Sequence, residues 1–143
     1  MIIVLFGQPH SGKTTLAKGL SYHIYSKMID GDLLRNMFSN KDYSKEGRLK
    51  NLNRASDIAH FLHIEEHENV ILSLVYPYKE ARDYLNSLHE KVKWIYLTYT
   101  KPRGREANHV VDFEEPNLEN FLQINTDNLT IDESITKILE YVG

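Results

Sequence analysis

The fold is decided by the stretch IIVLFGQPHSGKTT, residues 2–15, in which a run of apolar residues leads into a glycine-rich loop. Residues 2–6 are mostly β-branched or aromatic and do not alternate with polar residues, which is typical of a parallel strand buried on both faces. Residues 7–14 match the pattern G-x-x-x-x-G-K-[ST] directly after this strand and where a helical pattern begins. The sequence therefore predicts a phosphate-binding loop between a strand and a helix.

The loop has the chemistry that nucleotide phosphates require. Its backbone N–H groups can surround a phosphate, and the N-terminus of the following helix adds partial positive charge. Lys13 is predicted to reach the β- and γ-phosphates of ATP, and the hydroxyl of Thr14 to bind Mg²⁺. The residues predicted to bind ATP are Gly7, Gln8, Pro9, His10, Ser11, Gly12, Lys13, Thr14 and Thr15.

Further apolar runs alternate with segments of helical spacing along the chain. The predicted strands cover residues 2–6, 26–29, 70–75, 92–98 and 121–125. Strands that alternate with helices predict right-handed crossovers and a parallel sheet covered on both faces. Residues 100–120 lack hydrophobic periodicity and are predicted to form a loop over one end of the sheet.

Length and composition limit the class of protein. A chain of 143 residues has room for one core, and 41% hydrophobic residues with 26% charged residues is ordinary for a globular domain. The net charge of −3 gives no sign of a nucleic-acid or membrane-surface partner. The chain has no cysteine, which excludes disulfides, thiolate metal sites and a cysteine nucleophile. No signal peptide or membrane span is predicted, and we expect a cytoplasmic protein.

Two carboxylates and an arginine follow the second predicted strand. They are Asp30, Asp32 and Arg35, at the edge of the sheet where open α/β folds bind ligands. An aspartate there can orient an attacking hydroxyl or hold Mg²⁺, and Arg35 can bind an anionic acceptor through two hydrogen bonds. The structural alternative is an Asp-Gly turn with an aspartate capping a helix.

Arg48 and Asn51 are a second pair of candidates. On a helical wheel Arg48 falls within the apolar arc of its helix, and Asn51 lies at the edge of that arc. A charge that faces inward requires a partner, so Arg48 is predicted to point into a cleft toward an anionic ligand or an internal acid. The alternative is an arginine at the helix start that extends to solvent and pairs with Glu46.

Other nucleotide-binding and metal-binding classes fit less well. The segment Asn40–Tyr43 resembles the N-K-x-D base-recognition pattern of GTPases but has the wrong spacing and no preceding strand. Ser73 stands near the end of the third predicted strand, where motor ATPases have an aspartate. His63–His67 matches the H-x-x-E-H pattern of zinc proteases, which is short enough to arise by chance.

The order of the motifs resembles that of the adenylylsulfate (APS) kinase family, which transfers the γ-phosphate of ATP to the 3′-hydroxyl of APS. The matching segments run through most of the chain. They are Gly12–Thr15, Ile29–Asp32 with Arg35, Tyr43–Arg48 with Asn51 and Arg54, Ile71–Leu74 with Pro77 and Tyr78, Glu115–Pro116, and Asn125–Asp127 with Leu129.

The resemblance implies a fold and a division of labour. The fold is a single three-layer α/β domain of the P-loop kinase type over residues 1–143, with a five-stranded parallel sheet in the order 2-3-1-4-5 and helices on both faces. Asp32 is the implied catalytic carboxylate and, with Thr14, the implied Mg²⁺ site, whereas Lys13 is the second catalytic residue. The implied acceptor-binding residues are Asp30, Arg35, Tyr43, Arg48, Asn51, Ser73, Tyr76 and Pro77. Among them, Tyr43 is expected to stack on the adenine of APS.

The lid is the main departure from the family. Residues 100–114 occupy a space where the family carries a longer lid rich in cations, and Arg103 and Arg105 are the candidate replacements. A short lid leaves two alternatives open: a kinase for another nucleotide, sugar or small alcohol, and a non-catalytic ATP-binding protein. The expected partner is a small nucleotide acceptor rather than a nucleic acid or a membrane, and a homodimer is the assembly left open.

Overall fold

The computed structural model describes residues 1–104, 106–117 and 121–143. Its five parallel strands form one sheet in the order β2-β3-β1-β4-β5, which confirms the predicted architecture. The strands are β1 (Ile2–Phe6), β2 (Lys27–Asp30), β3 (Val70–Ser73), β4 (Lys93–Thr98) and β5 (Phe121–Asn125). The helices are α1 (Lys13–Ser21), α2 (Gly31–Met37), α3 (Lys45–Ile64), α4 (Lys79–Leu88) and α5 (Ile131–Val142), with a short 3₁₀-helix at Glu106–Asn108.

The central strand explains the absence of alternation in the sequence. Every residue of β1 is fully buried, because successive side chains point to opposite faces and both faces are covered. Val4 and Phe6 pack with α3 and α4 on one face, and Ile3 and Leu5 pack with α1 and α5 on the other. The result is three layers, helix–sheet–helix.

Three elements differ from the prediction by more than one residue. Strand β3 ends at Ser73 rather than at residue 75, because the backbone beyond it turns toward the phosphate loop, where the Gly7 N–H donates to the Val75 carbonyl oxygen at 3.2 Å. Helix α1 ends at Ser21 and does not include Ile24. Helix α2 is not among the segments of predicted helical spacing, because Leu34 is its only apolar residue buried in the core, whereas Leu33 and Met37 are exposed.

The fold places the loops that follow β1, β2, β3 and β4 at one edge of the sheet. These are the carboxyl ends of the strands, where parallel α/β sheets bind ligands. In the described parts of the chain, no helix is long and apolar enough to cross a membrane.

Candidate active site

A cavity of about 990 Å³ lies at the carboxyl edge of the sheet. Most of the predicted site residues line it: Pro9, His10, Gly12, Lys13, Thr14, Thr15, Asp30, Asp32, Arg35, Tyr43, Arg48, Asn51, Ser73 and Pro77. Gly7, Gln8, Ser11, Tyr76 and Arg103 do not line it, and Arg105 lies outside the described residues. The sequence analysis missed Gly31, Leu52, Leu74, Val75, Asn108, His109 and Val110, which also line the cavity.

The phosphate loop depends on two glycines. Gly7 has φ +146° and Gly12 has φ +99°, values that side-chain-bearing residues rarely adopt. A Cβ on Gly7 would also overlap the carbonyl oxygen of Leu97 on β4. Both glycines therefore let the backbone curl tightly between β1 and α1.

Lys13 is held inside this loop. Its Nζ donates to the carbonyl oxygens of Gly7 at 3.2 Å and Gln8 at 2.9 Å, and contacts Ser11 Oγ at 3.5 Å. Burial lowers the pKa of Lys13 to about 8, although the nearby carboxylates of Asp32 and Asp30 oppose the shift. The backbone carbonyls compensate the charge of this ammonium only in part, and a phosphate bound in the loop would give it an anionic partner.

Oxygen donors gather beside the loop. The Thr14 hydroxyl donates to Asp30 Oδ2 at 3.1 Å and lies 3.5 Å from Ser73 Oγ. Asp30 Oδ1 caps α2 by accepting from the N–H groups of Asp32 and Leu33, which is the helix-cap alternative raised by the sequence. Hydroxyl and carboxylate oxygens are the ligands that Mg²⁺ prefers, so the donor set fits this ion.

The carboxylate bonded to Thr14 is that of Asp30. Asp30 accepts from the Thr14 hydroxyl because it ends β2 beside the start of α1, whereas Asp32 remains the predicted Mg²⁺ partner of Thr14. Asp32 is exposed, lines the same cavity and has no side-chain hydrogen bond among the described residues. The two carboxylates thus have different environments, because Asp30 is fixed by the helix cap whereas Asp32 is available to bind a ligand.

Arg35 supports the acceptor side of the cavity. Its Nη1 donates to Asn40 O and Oδ1, each at 3.2 Å, and to Asp42 O at 3.0 Å. Its guanidinium also lies 4.2 Å from the ring centroid of Tyr43, which is 62% exposed. Arg35 therefore fixes the loop before α3 and leaves guanidinium N–H groups for an anion.

Arg48 and Asn51 project from α3 into the same space. Arg48 Nη1 is 3.9 Å from Asp112 Oδ1, so its charge faces an acid in the lid and not Glu46. Asn51 is buried, and its Nδ2 donates to the Gly31 carbonyl oxygen at 3.3 Å. The inward direction predicted for Arg48 agrees with the structure, and Asn51, which was placed at the edge of the apolar arc, lines the same cavity.

Tyr76 requires a correction. It was expected to line the acceptor pocket, but its side chain is fully buried beneath α3, and its hydroxyl is 2.8 Å from Ser56 Oγ. Its ring packs edge-on against Trp94 at 5.3 Å. The positive φ of 43° at Tyr76 turns the backbone so that Pro77, and not the tyrosine, faces the cavity.

The lid also differs from expectation. Arg103 donates to Thr126 Oγ1 at 2.8 Å, Asp127 Oδ1 at 3.0 Å and the His10 carbonyl oxygen at 2.7 Å, so it braces the lid outside the cavity. Asn108, His109 and Val110 form the cavity wall instead. The sequence around these three residues has no hydrophobic periodicity, so only the charges of the lid mark candidate residues there.

The H-x-x-E-H segment does not form a zinc motif. Helix α3 ends at Ile64, and His67 lies beyond it with φ +56°, so the two histidines are not one helical turn apart. No cluster of three potential metal ligands of the His, Cys, Asp or Glu type occurs within the described ranges.

Comparison with known proteins agrees with this arrangement. A sequence profile of the family described as adenylylsulphate kinase matches residues 1–107. The adenylyl-sulfate kinase of Rippkaea orientalis is 29% identical over an alignment of 167 positions, gaps included, which covers 99% of this chain and 92% of the relative.

Solved structures share the fold. The Mycobacterium tuberculosis APS kinase in complex with AMPPNP and APS superposes with a TM-score of 0.82 at 18% identity, covering 99% of this chain and 96% of that one. A gluconokinase from Sinorhizobium meliloti 1021 superposes with a TM-score of 0.73 at 16% identity, covering 98% and 90% of the two chains. Because the family profile covers well over half of the sequence, the chain belongs to the adenylylsulphate kinase family of ATP-dependent phosphotransferases that act on a hydroxyl group.

Proposed function

We propose that this kinase transfers the γ-phosphate of ATP to the 3′-hydroxyl of adenylylsulfate. The observation that supports the proposal is that one cavity joins the phosphate loop to Asp32 and to two arginines, Arg35 and Arg48. Two guanidinium groups suit the phosphosulfate of this acceptor, because guanidinium presents paired donors to anionic oxygens. The exposed ring of Tyr43 lines the same cavity and can stack on a base.

In this proposal each side chain has a defined role. Lys13 and the backbone of the phosphate loop hold the phosphates of ATP, and Asp32 orients or deprotonates the acceptor hydroxyl. Thr14 and Asp32 hold Mg²⁺, with Asp30 hydrogen-bonded to Thr14 beside them, and the ion when bound neutralises charge on the phosphates. Transfer then depends on in-line positioning and charge neutralisation, without a covalent intermediate on the protein.

We also propose that residues 1–143 act as a single kinase domain, with residues 100–114 as its lid. The short lid is the reason to keep another acceptor, such as a different nucleotide, a sugar or a small alcohol, as the second candidate. The cavity is lined in part by Asn108, His109 and Val110 of the lid, which supports a lid that helps to close the active site. Such a lid argues against a purely non-catalytic ATP-binding protein.

The test is a phosphoryl-transfer assay with the purified chain, MgATP and a panel of acceptors. The panel contains adenylylsulfate, adenosine 5′-phosphate, other nucleoside monophosphates and simple sugars, and product masses are read directly. We expect 3′-phosphoadenylylsulfate from adenylylsulfate. A product from another acceptor alone would reassign the pocket, and ATP binding without any product would overturn the proposed transfer.

We expect Lys13→Ala to lower the transfer rate by about 10²-fold or more, because the transition state loses a buried positive charge beside the transferred phosphate. Lys18→Ala is the matched control, since Lys18 is an exposed residue of α1 outside the cavity. Rates are measured on variants whose circular dichroism matches that of the parent chain. Full activity in a folded Lys13→Ala variant would remove Lys13 from the proposed role.

A further inference from the structure

The start of the phosphate loop contacts the lid in a way that phosphate binding does not explain. Gln8 lies outside the cavity, and its side-chain amide pairs with the backbone of Val110, 102 positions away. Gln8 Nε2 donates to the Val110 carbonyl oxygen at 2.9 Å, and Gln8 Oε1 accepts from the Val110 N–H at 2.8 Å. We call these two hydrogen bonds the Gln8–Val110 clamp.

Two neighbouring contacts join the same loop to the lid region. The Tyr99 hydroxyl donates to the Pro9 carbonyl oxygen at 2.8 Å and lies 2.6 Å from His109 Nε2. Arg103 donates to the His10 carbonyl oxygen at 2.7 Å. In both contacts the loop contributes only a backbone carbonyl. Gln8 is therefore the member of this run of loop residues whose own side chain makes the connection.

The clamp also lies where the lid changes from buried to exposed. Val110 is 5% exposed, whereas its neighbour Val111 is fully exposed. The residues before the clamp, Asn108 and His109, line the cavity together with Pro9 and His10 of the phosphate loop. The clamp thus fixes the end of the lid segment that forms the cavity wall.

We propose that Gln8 is a positioning residue that couples the lid to the phosphate loop. The clamp holds Asn108–Val110 against the cavity, so that the segment which encloses the transferred phosphate is tied to the loop which binds it. A closed wall excludes water from the phosphates and keeps transfer to the acceptor ahead of hydrolysis. Loss of two hydrogen bonds is expected to weaken lid docking by on the order of 10- to 100-fold.

The test measures backbone amide exchange by NMR in the free chain and with MgATP. Gln8→Leu keeps the size of the side chain and removes both hydrogen bonds. We expect the Val110 amide, and the residues on either side of it, to exchange about 10-fold faster or more, while the amides of β4 keep their protection. Gln8→Asn is the second variant, because it keeps the amide group but is too short to reach the backbone of Val110. We expect it to accelerate exchange as Gln8→Leu does.

Gln123→Leu is the matched control. Gln123 is an exposed residue of β5 beside the same lid surface, and its side chain makes no hydrogen bond within the described residues, so the same chemical change there should leave the lid amides unaffected. Unchanged exchange at Val110 in both folded Gln8 variants would overturn the proposal. Equal acceleration in Gln123→Leu would overturn it as well, because the effect would then not belong to the clamp.

A second readout uses turnover and rests on the proposed phosphoryl transfer. In Gln8→Leu we expect the ratio of ATP hydrolysed to acceptor phosphorylated to rise, which a loss of overall stability alone would not produce. An unchanged ratio, with the transfer rate intact, would count against the coupling. Because amide exchange needs no acceptor, failure of the acceptor assignment and failure of the clamp can be told apart.

Discussion

The buried hydroxyl pair of Tyr76 and Ser56 supports the core rather than the substrate. The two oxygens are 2.8 Å apart, and burial raises the pKa of the Tyr76 phenol. We expect Tyr76→Phe to lower the free energy of unfolding by about 1–2 kcal/mol, because Ser56 then keeps a buried hydroxyl without a partner. The KM for the acceptor should stay within about twofold of the parent value, since the ring lies outside the cavity.

A double variant separates the two contributions. Tyr76→Phe combined with Ser56→Ala removes both polar groups and should recover much of the lost stability, measured by urea unfolding. A tenfold rise in the acceptor KM of Tyr76→Phe would instead return this residue to the pocket that the sequence alone suggested.

At the scale of elements, the loop before α3 depends on a glycine inside that helix. A Cβ on Gly47 would overlap the carbonyl oxygen of Asp42, which accepts from Arg35 at 3.0 Å. The Gly47 carbonyl oxygen also accepts from Asn40 Nδ2 at 2.9 Å. The loop that carries Tyr43 therefore packs directly on the first turn of α3.

Gly47→Ala should damage the acceptor side of the site. Alanine favours a helix by about 1 kcal/mol over glycine, but overpacking costs about 1–3 kcal/mol, so the loop is expected to shift. We expect the KM for the acceptor to rise more than the KM for ATP, because Arg35 and Tyr43 move while the phosphate loop stays in place. Steady-state kinetics with each substrate varied in turn measure the difference.

Gly19→Ala is the control for this prediction. Gly19 also lies within a helix, but a Cβ there would meet only the end of the flexible Ile135 side chain, on the other face of the sheet. An equal rise of both KM values in Gly47→Ala, or the same acceptor effect in Gly19→Ala, would contradict the role assigned to the loop.

At the scale of the whole molecule, local sequence patterns predicted the sheet. The features that were not predicted depend on contacts between residues that are far apart in the sequence. Strand β1 and the phosphate loop are adjacent in sequence, so their combined pattern predicted both the fold and the ATP-binding half of the site. The Gln8–Val110 clamp could not be predicted, because neither residue has a periodic context and the lid has no apolar repeat. Helix α2 was missed because it buries a single apolar residue, Leu34, and one residue gives no helical repeat.

The molecule also has ionisable groups with shifted pKa values at opposite ends of the sheet. Lys13 lies at the carboxyl end of β1, where burial lowers its pKa from 10.5 to about 8. His89 lies beyond α4 against His63, which is beside Met1 at the amino end of β1. Burial, followed by the proximity of His63, lowers the pKa of His89 below its ordinary value of 6.5.

These two shifts predict separate pH dependences of stability. Both groups bind a proton more tightly in the unfolded chain, so stability increases with pH in each window. The free energy of unfolding should therefore fall as pH drops below about 6.5, where His89 of the unfolded chain takes up a proton. It should rise between about 8 and 10.5, where Lys13 is neutral in the folded chain but still charged in the unfolded one.

Urea unfolding between pH 5.5 and 10, followed by the fluorescence of the single, buried Trp94, measures both windows. His89→Gln should remove the loss of stability at acid pH and keep the gain of stability at alkaline pH. Lys13→Met should remove the alkaline gain and keep the acid loss. MgATP should suppress the alkaline gain alone, because bound phosphates keep Lys13 charged and raise its pKa. If MgATP changed the acid window as strongly as the alkaline one, the two ends of the sheet would not titrate independently, and the assignment of the alkaline window to Lys13 would fail.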